Sequence, residues 1–374
     1  ACTLPDPAIV PAAATPGAAV PASLPANAWP DRLEATTPSF AVNKGAPPRD
    51  LGVYRQCRVM LMSQSRKEAP LLFFASRTSE PIYEPKGHLG VSLEADENST
   101  SFVVRDHRIT LIEVEPSRIQ PARGTVIYLA SIMGLPKNEQ QFITSLREAG
   151  WNVASCLPSL DLFYRDGWPD VIGEDGFDEA AQSLARRIDG HLAERAYAVE
   201  SLLAYLADDH PDWLKGPRVV IGSSAGALAL PAVAARIGGV DAAVLIGGGA
   251  HVPRILMESW IDIYNPVMRR GPEETRRKRL ERRLNRDERR TLQKLAFEHC
   301  RLDPAHLAPL LRGVPTLQLH ATRDRVVPAQ TGELLHGALG RPERWDYAAG
   351  HVSLFYGLPS QGERVVDWLD SHTR

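Results

Sequence analysis

At 374 residues, with 44% hydrophobic and 24% charged side chains, the chain has the make-up of a globular protein with room for one large α/β domain or two smaller ones. A formal net charge of −2 gives no overall attraction to nucleic acid, and no nucleic-acid partner is expected. No run reaches the roughly 18–20 apolar residues that a membrane-spanning helix needs.

The chain opens Ala1-Cys2-Thr3, without an initiator Met, and residues 1–30 alternate Ala and Pro with almost no charge. Such a stretch favours extended, polyproline-like backbone and buries too little surface to fold, so residues 1–35 are expected to be a disordered tether. A Cys beside a small residue, ahead of a Pro-rich tether, resembles the mature start of a bacterial lipoprotein. That resemblance implies lipid attachment at Cys2 and an exported protein, periplasmic or anchored at the outer membrane. The alternatives are an ordinary signal peptide removed ahead of Ala1, with Cys2 unmodified, and a cytoplasmic protein with a clipped end. Cys57, Cys156 and Cys300 have neither CxxC nor zinc spacing and read as buried small hydrophobes, with one disulfide plus a free thiol as the alternative.

After an irregular lead-in, residues 51–120 carry strand signals and are expected to form an antiparallel β extension at the start of a domain spanning 36–374. Phe102-Val103-Val104 and Ile109 to Val114 flank the polar break Arg105-Asp106-His107-Arg108, which predicts a hairpin. Strands then alternate with helices. Thr125 to Leu129 is a continuous apolar run, as in a strand covered on both faces. A helix over Glu139–Glu148 leads to a strand at Trp151–Ala154, and apolar residues from Phe177 to Leu206 at three-to-four spacing predict one or two helices. Arg218–Ile221, Ala242–Ile246 and Thr316–His320 are further buried strands, and a helix through Val365–Leu369 closes the chain. The alternation implies a mostly parallel sheet with helices on both faces. About seventy residues separate Ile246 from Thr316. This stretch, about 250–312, is expected to be an inserted helical cap or an enlarged surface helix, with Leu280, Leu284, Leu292 and Leu295 at helical spacing.

Gly222-Ser223-Ser224-Ala225-Gly226 fits G-x-S-x-G, directly after a buried strand and ahead of a small-residue segment that packs as a helix. That strand–turn–helix setting is what a nucleophile elbow requires; the competing reading is a plain turn whose Ser caps the helix. Pro231 is expected to bend that helix or end its regular bonding. A Ser hydroxyl needs a base to take its proton. Asp324 follows the last long core strand, where open α/β sheets place their ligand sites, and His351 follows in the Gly350-turned loop near the C-terminus. Ser224, Asp324 and His351 are therefore the candidate nucleophile, orienting acid and base. His320, on a strand and ahead of the acid, reads as structural.

From about residue 100 onward the chain resembles the α/β-hydrolase superfamily, on the Gly-Ser-Ser-Ala-Gly elbow, the Asp324-Arg325-Val326-Val327-Pro328 turn and the Gly350-His351-Val352-Ser353-Leu354-Phe355 close. Many members carry His-Gly after the third strand of their sheet, whereas this chain reads Leu129-Ala130-Ser131-Ile132-Met133-Gly134. The resemblance implies an oxyanion hole made by the backbone N–H of Ala225 and by that of Ser131 or Ile132. A Ser at the elbow argues against the dehalogenase branch, which uses Asp there.

The implied activity is hydrolysis of a small-molecule carboxylic ester through an acyl-enzyme. A peptidase or amidase with the same triad, and a non-catalytic envelope protein that keeps the fold, are the alternatives. Phe163 and Trp168 are candidate walls of a substrate pocket, or core. The Arg-rich stretch from Arg276 to Arg290, interleaved with Glu and Asp, reads as a solvated, salt-bridged face. Its alternative is a cationic cap that docks on anionic lipid or recruits an anionic substrate, and lipidated Cys2 is a second route to a membrane surface. No metal or cofactor motif is present, and none is expected.

Overall fold

The computed structural model describes residues 4, 6–12, 49–54, 57–62, 71–76, 83–84, 103–104, 109–156, 168–173, 175–261, 263–269 and 281–373. In chain order the strands ahead of the first helix are β1 (Ala8–Val10), β2 (Arg49–Tyr54), β3 (Cys57–Met62), β4 (Leu71–Ser76), β5 (Tyr83–Glu84), β6 (Val103–Val104), β7 (Ile109–Glu115) and β8 (Gly124–Leu129). Then come α1 (Lys137–Glu148), β9 (Trp151–Cys156), β10 (Val171–Ile172), α2 (Phe177–Asp209), β11 (Arg218–Ser223), α3 (Ala225–Ile237), β12 (Ala242–Ile246) and α4 (Val252–Glu258). The chain closes with β13 (Val267–Arg269), β14 (Arg282–Arg283), α5 (Arg286–His299), α6 (Pro304–Leu307), β15 (Thr316–Ala321), α7 (Ala329–Ala338), β16 (Glu343–Tyr347), α8 (His351–Tyr356) and α9 (Gly362–His372).

The described residues form one eleven-stranded sheet in the order β2-β3-β4-β7-β9-β8-β11-β12-β15-β16-β1. From β9 to β16 neighbouring strands run parallel; β2, β3, β4 and β7 join antiparallel at one side. All residues of β8, β9, β12 and β15 are buried. Their alternate side chains serve two cores. Ile127 and Leu129 face α2, α3 and α5, while Val126 and Tyr128 face α1, α8 and α9. Helices cover both faces, which is why these strands read as apolar runs rather than as alternating ones. The chain winds from β8 out to β9 and then returns to β11 on the other side of β8. That reversal opens a crevice at the C-terminal ends of β8 and β11, where such sheets place their sites.

Three expectations need correcting. Val103–Val104 pairs with Tyr83–Glu84 and not with the strand at Ile109–Glu115, so the expected strand pairing is not seen; Arg105–Arg108 lie outside the described residues. The reason for the different pairing is that β7 already has β4 on one edge and β9 on the other, leaving no backbone edge for Val103–Val104. The tether over residues 1–35 is also interrupted. Ala8–Val10 pairs antiparallel with β16 through Ala8↔Asp346 and Val10↔Arg344, and Leu4 packs against the second core beside Gly357. Without β1, β16 would be an open edge, and β-branched Ile9 and Val10 suit pairing there. Lastly, the insertion's helix that carries Leu292 and Leu295 starts at Arg286. Asn285 caps it, accepting from the N–H groups of Asp287 and Glu288, while Glu288 accepts from the Asn285 N–H. Leu284 thus lies before the helix, and Leu280 lies outside the described residues. α5 runs against α2 and α4, thickening the helical layer on that face.

Two other elements took simple forms. The stretch after Phe177 is one 33-residue helix, about 50 Å long, packed on both α3 and α5. α3 passes through Pro231 without ending, because Ala229, Leu230, Ala232 and Val233 around the lost hydrogen bond are all buried.

Candidate active site

Ser224 sits between the last residue of β11 and the first of α3, with φ 49° and ψ −112°. A positive φ is rare for a residue with a side chain and stores roughly 1–3 kcal/mol of strain unless its surroundings enforce it. They do so here. The Ser224 N–H donates to the Ile246 carbonyl at 2.8 Å, tying the turn to the end of β12. A Cβ on Gly226 would stand 1.9 Å from the Leu129 carbonyl oxygen, and one on Gly222 would stand 2.7 Å from the Gly226 oxygen. Both motif glycines are therefore required by close backbone approach, and the turn is pressed against the end of β8.

Two other loops bring their residues to this hydroxyl. Asp324 follows β15, with its Oδ1 accepting from the N–H groups of Val326 and Val327, both at 2.9 Å. Its Oδ2 lies 2.6 Å from His351 Nδ1, and His351 Nε2 lies 2.9 Å from Ser224 Oγ. A carboxylate accepts, so Nδ1 carries the ring proton and Nε2 accepts from the Ser hydroxyl. The loops after β15 and β16 are laced together by backbone bonds from Thr322 N–H to the Tyr347 carbonyl and from Arg323 N–H to the Ala349 carbonyl. Those bonds set the acid against the base. His351 is the first residue of a helix rather than part of a loop, and Gly350 has φ −89°, an ordinary value. The glycine needed here is Gly247. It has φ 60°, and a Cβ there would meet Phe355 at 3.1 Å and the His351 ring at 3.4 Å.

In the turn after β8 the N–H groups of the two oxyanion candidates have different surroundings. The Ala130 N–H donates to the Cys156 carbonyl at 2.9 Å, and buried Arg195 of α2 donates to the Ala130 carbonyl at 3.3 Å. The Ser131 N–H is directed at Glu139 Oε2, 3.3 Å away. Among the described residues, the N–H groups of Ile132 and Ala225 make no hydrogen bond. Glu139 comes from the first turn of α1 and is wholly buried. Tyr128 OH donates to the same Oε2 at 2.6 Å and lies 2.5 Å from Ser223 Oγ. Burial raises the Glu139 carboxyl above its usual range, although the bonds from Ser131 and Tyr128 oppose the shift. Burial also raises the Tyr128 phenol, with the facing Glu139 carboxylate adding to the rise. Motif reading missed Glu139, Tyr128, Ser223, Arg195 and Gly247. Only the run Gly247-Gly248-Gly249 carried a local signal.

The other candidates fall elsewhere. Trp168 stacks on Tyr264 at 5.2 Å between ring centres, with the Arg187 guanidinium over its ring at 4.6 Å, and packs against the first core. None of these contacts reaches Ser224. Phe163 and Cys2 lie outside the described residues. His320 is buried against Gly332 of α7, and burial lowers its pKa. Cys156 and Cys300 are buried free thiols. In the Arg-rich stretch, Arg282 pairs with Glu288, and Arg289 binds the Asn265 side chain. A cavity of about 740 Å³ opens between α4 and α5, lined by His251, Arg254, Arg286, Arg290 and Lys294 among others, and includes no residue of the Ser–His–Asp group. Among the described residues no group of three His, Cys, Asp or Glu side chains is placed to hold a metal, and no helix is long and apolar enough to cross a membrane.

No family model matches the chain, and no curated protein does. Among solved structures it is similar to a cold-adapted esterase from an Arctic intertidal metagenomic library, at 16% identity and a TM-score of 0.45, covering 83% of this chain and 97% of that one. It is also similar to a Pyrococcus furiosus esterase, at 13% identity and a TM-score of 0.43, covering 71% and 88%. A third is a putative dienelactone hydrolase from Klebsiella pneumoniae, at 15% identity and a TM-score of 0.40, covering 70% and 92%. The strand order, the β8–β11 crevice and the strained turn between β11 and α3 establish the architecture from the chain itself: it is an α/β-hydrolase fold.

Proposed function

We propose that the protein is a serine hydrolase that cleaves a carboxylic ester through an acyl-enzyme. The observation that carries this reading is the continuous path from Ser224 Oγ through His351 to Asp324, at 2.9 and 2.6 Å, assembled from three separate segments that follow β11, β15 and β16. His351 Nε2 takes the Ser224 proton as Oγ attacks the ester carbonyl. Asp324, held by two backbone N–H groups, keeps Nδ1 protonated and stabilises the imidazolium that forms. The carbonyl oxygen gains negative charge and is received by the N–H groups of Ala225 and Ile132. His351 then gives its proton to the departing alcohol, and in the second half it activates water to release the acid and restore Ser224. Met133, Val352 and Tyr356 stand exposed on the segments flanking the hydroxyl, a setting that suits an ester with an apolar part.

The test is labelling with a fluorophosphonate alongside turnover of p-nitrophenyl esters of graded length, comparing wild type with Ser224→Ala. Labelling and turnover that both depend on Ser224 are expected. Their absence in folded wild-type protein would sink the reading. Export and a lipid on Cys2 are part of the proposal and are read by mass spectrometry of the mature N-terminus. Since β1 is docked on β16, five residues separate Cys2 from a fixed strand. A lipid there would hold the domain within roughly 20 Å of the bilayer rather than on a long leash.

A further inference from the structure

The turn after β8 is gripped by a carboxyl that an ordinary helix start does not call for. An acidic residue in the first turn of a helix usually faces solvent, where it meets the positive end of the helix dipole. Glu139 instead points inward and is fully buried, with Oε1 lacking a hydrogen-bond partner. Burying a carboxyl with an unmet oxygen is costly, and an apolar side chain would fill the space at lower cost. What the carboxyl holds is the notable part. Its Oε2 gathers Tyr128 near the end of β8, the Ser131 N–H just beyond that strand and, through the Tyr128 hydroxyl, Ser223 beside the nucleophile. These three positions frame the crevice between β8 and β11.

We propose that Glu139 is a positioning residue that locks the Ser131–Gly134 turn to the elbow, so that the N–H of Ile132 rather than of Ser131 is presented to the reacting carbonyl. The proposal rests on the hydrolase reading for its effect on rate, but not for its effect on the turn. With the Ser131 N–H engaged by Oε2 and the Gly134 N–H engaged by the Ser131 carbonyl at 3.0 Å, the turn has one orientation, and Ile132 sits at its outer corner. Without the carboxyl, the Ser131 N–H loses its acceptor and the turn is free to rotate. The oxyanion then meets a donor whose position is no longer set in advance, and such preorganisation is what gives the donor its effect.

The experiment compares Glu139→Ala and Glu139→Gln with wild type by amide hydrogen exchange, p-nitrophenyl butyrate kinetics and thermal melting. In Glu139→Ala, exchange across residues 130–136 should rise at least tenfold while α1 beyond residue 142 keeps its protection. Its kcat should fall about 100-fold with KM within twofold, the split expected for loss of an interaction made in the transition state. Glu139→Gln keeps an oxygen that accepts from Ser131 and should recover most of the kcat and the protection. Unchanged exchange across 130–136 in folded Glu139→Ala overturns the proposal, as does a lowered melting temperature with kcat intact. Should Glu139→Ala not fold, Glu139→Leu, which fills the space but offers the Ser131 N–H no acceptor, is read in its place: raised exchange across 130–136 with lowered kcat keeps the proposal, and wild-type exchange across 130–136 overturns it. Absence of Ser224-dependent turnover in wild type would instead refute the hydrolase reading, and the exchange measurement still decides whether Glu139 holds the turn.

Discussion

The two sides of the candidate site are held in different ways. On the side of Asp324 and His351 the main chain does the positioning: backbone bonds join the loops after β15 and β16, and two backbone N–H groups grip the carboxylate. On the side of the turn after β8, charged side chains from opposite faces of the sheet meet it, Glu139 from α1 and Arg195 from α2. A main-chain device needs only a short segment of suitable residues, so it leaves a local motif. A side-chain device depends on helices packing at the right place, and Arg195 lies 65 positions along the chain from the carbonyl it binds.

The largest expected effect falls on the main-chain side. Ser224→Ala should lower kcat by about 10⁴–10⁶-fold with the fold intact, and Asp324→Asn by about 10⁴-fold through the wrong ring tautomer. Steady-state kinetics with circular dichroism as the folding control checks both, and near-normal turnover in either would break the comparison. Next comes Gly226→Ala, whose Cβ has no room against Leu129. It should destabilise by roughly 3 kcal/mol in urea unfolding, and a neutral result would mean that the elbow is not pressed on β8. Arg195→Met removes a buried donor to Ala130 and should cost about 1–3 kcal/mol with a partial loss of kcat. In contrast, Ser224→Gly should raise stability by about 1 kcal/mol while abolishing turnover, because glycine adopts φ 49° without strain.

A pH dependence separates the side-chain device from simple packing. The folded pKa of Glu139 is raised above 4.5, so its contribution to stability is fully present below that value and declines as pH rises through the folded pKa. The melting temperature of wild type relative to Glu139→Gln should therefore fall as pH rises from about 4 toward 8. A constant difference across that range would show that the carboxyl does not titrate in the folded state as its burial implies. The smallest effect belongs to the remote insertion: Asn285→Ala removes the cap of α5 and should cost about 1 kcal/mol without touching kcat.

Much of the architecture was readable from residues alone. Runs such as Val126-Ile127-Tyr128-Leu129 and Val219-Val220-Ile221 are apolar because helices cover both faces, and that requirement writes itself into a few consecutive positions. Ser224 and Asp324 were legible for a similar reason, since they follow the buried strands β11 and β15, while His351 was legible from its place after them in the chain. The strand at Ala8–Val10 was not legible, because a Pro- and Ala-rich stretch has no hydrophobic period and its pairing depends on an edge more than 330 residues away. Gly350 drew attention as a turn residue, yet its backbone is ordinary. Gly247 is the residue that must lack a side chain, owing to rings brought in by α8.

The sequence by itself determined the strand–helix rhythm and the three residues whose side chains meet, since each is set by local burial and turn chemistry. Only the tertiary structure decided which N–H groups of the turn after β8 are already engaged, which carboxyl is buried behind that turn and where the N-terminal strand docks. Those outcomes depend on which helix faces and sheet edges meet, and contacts between distant segments leave no mark on spacing.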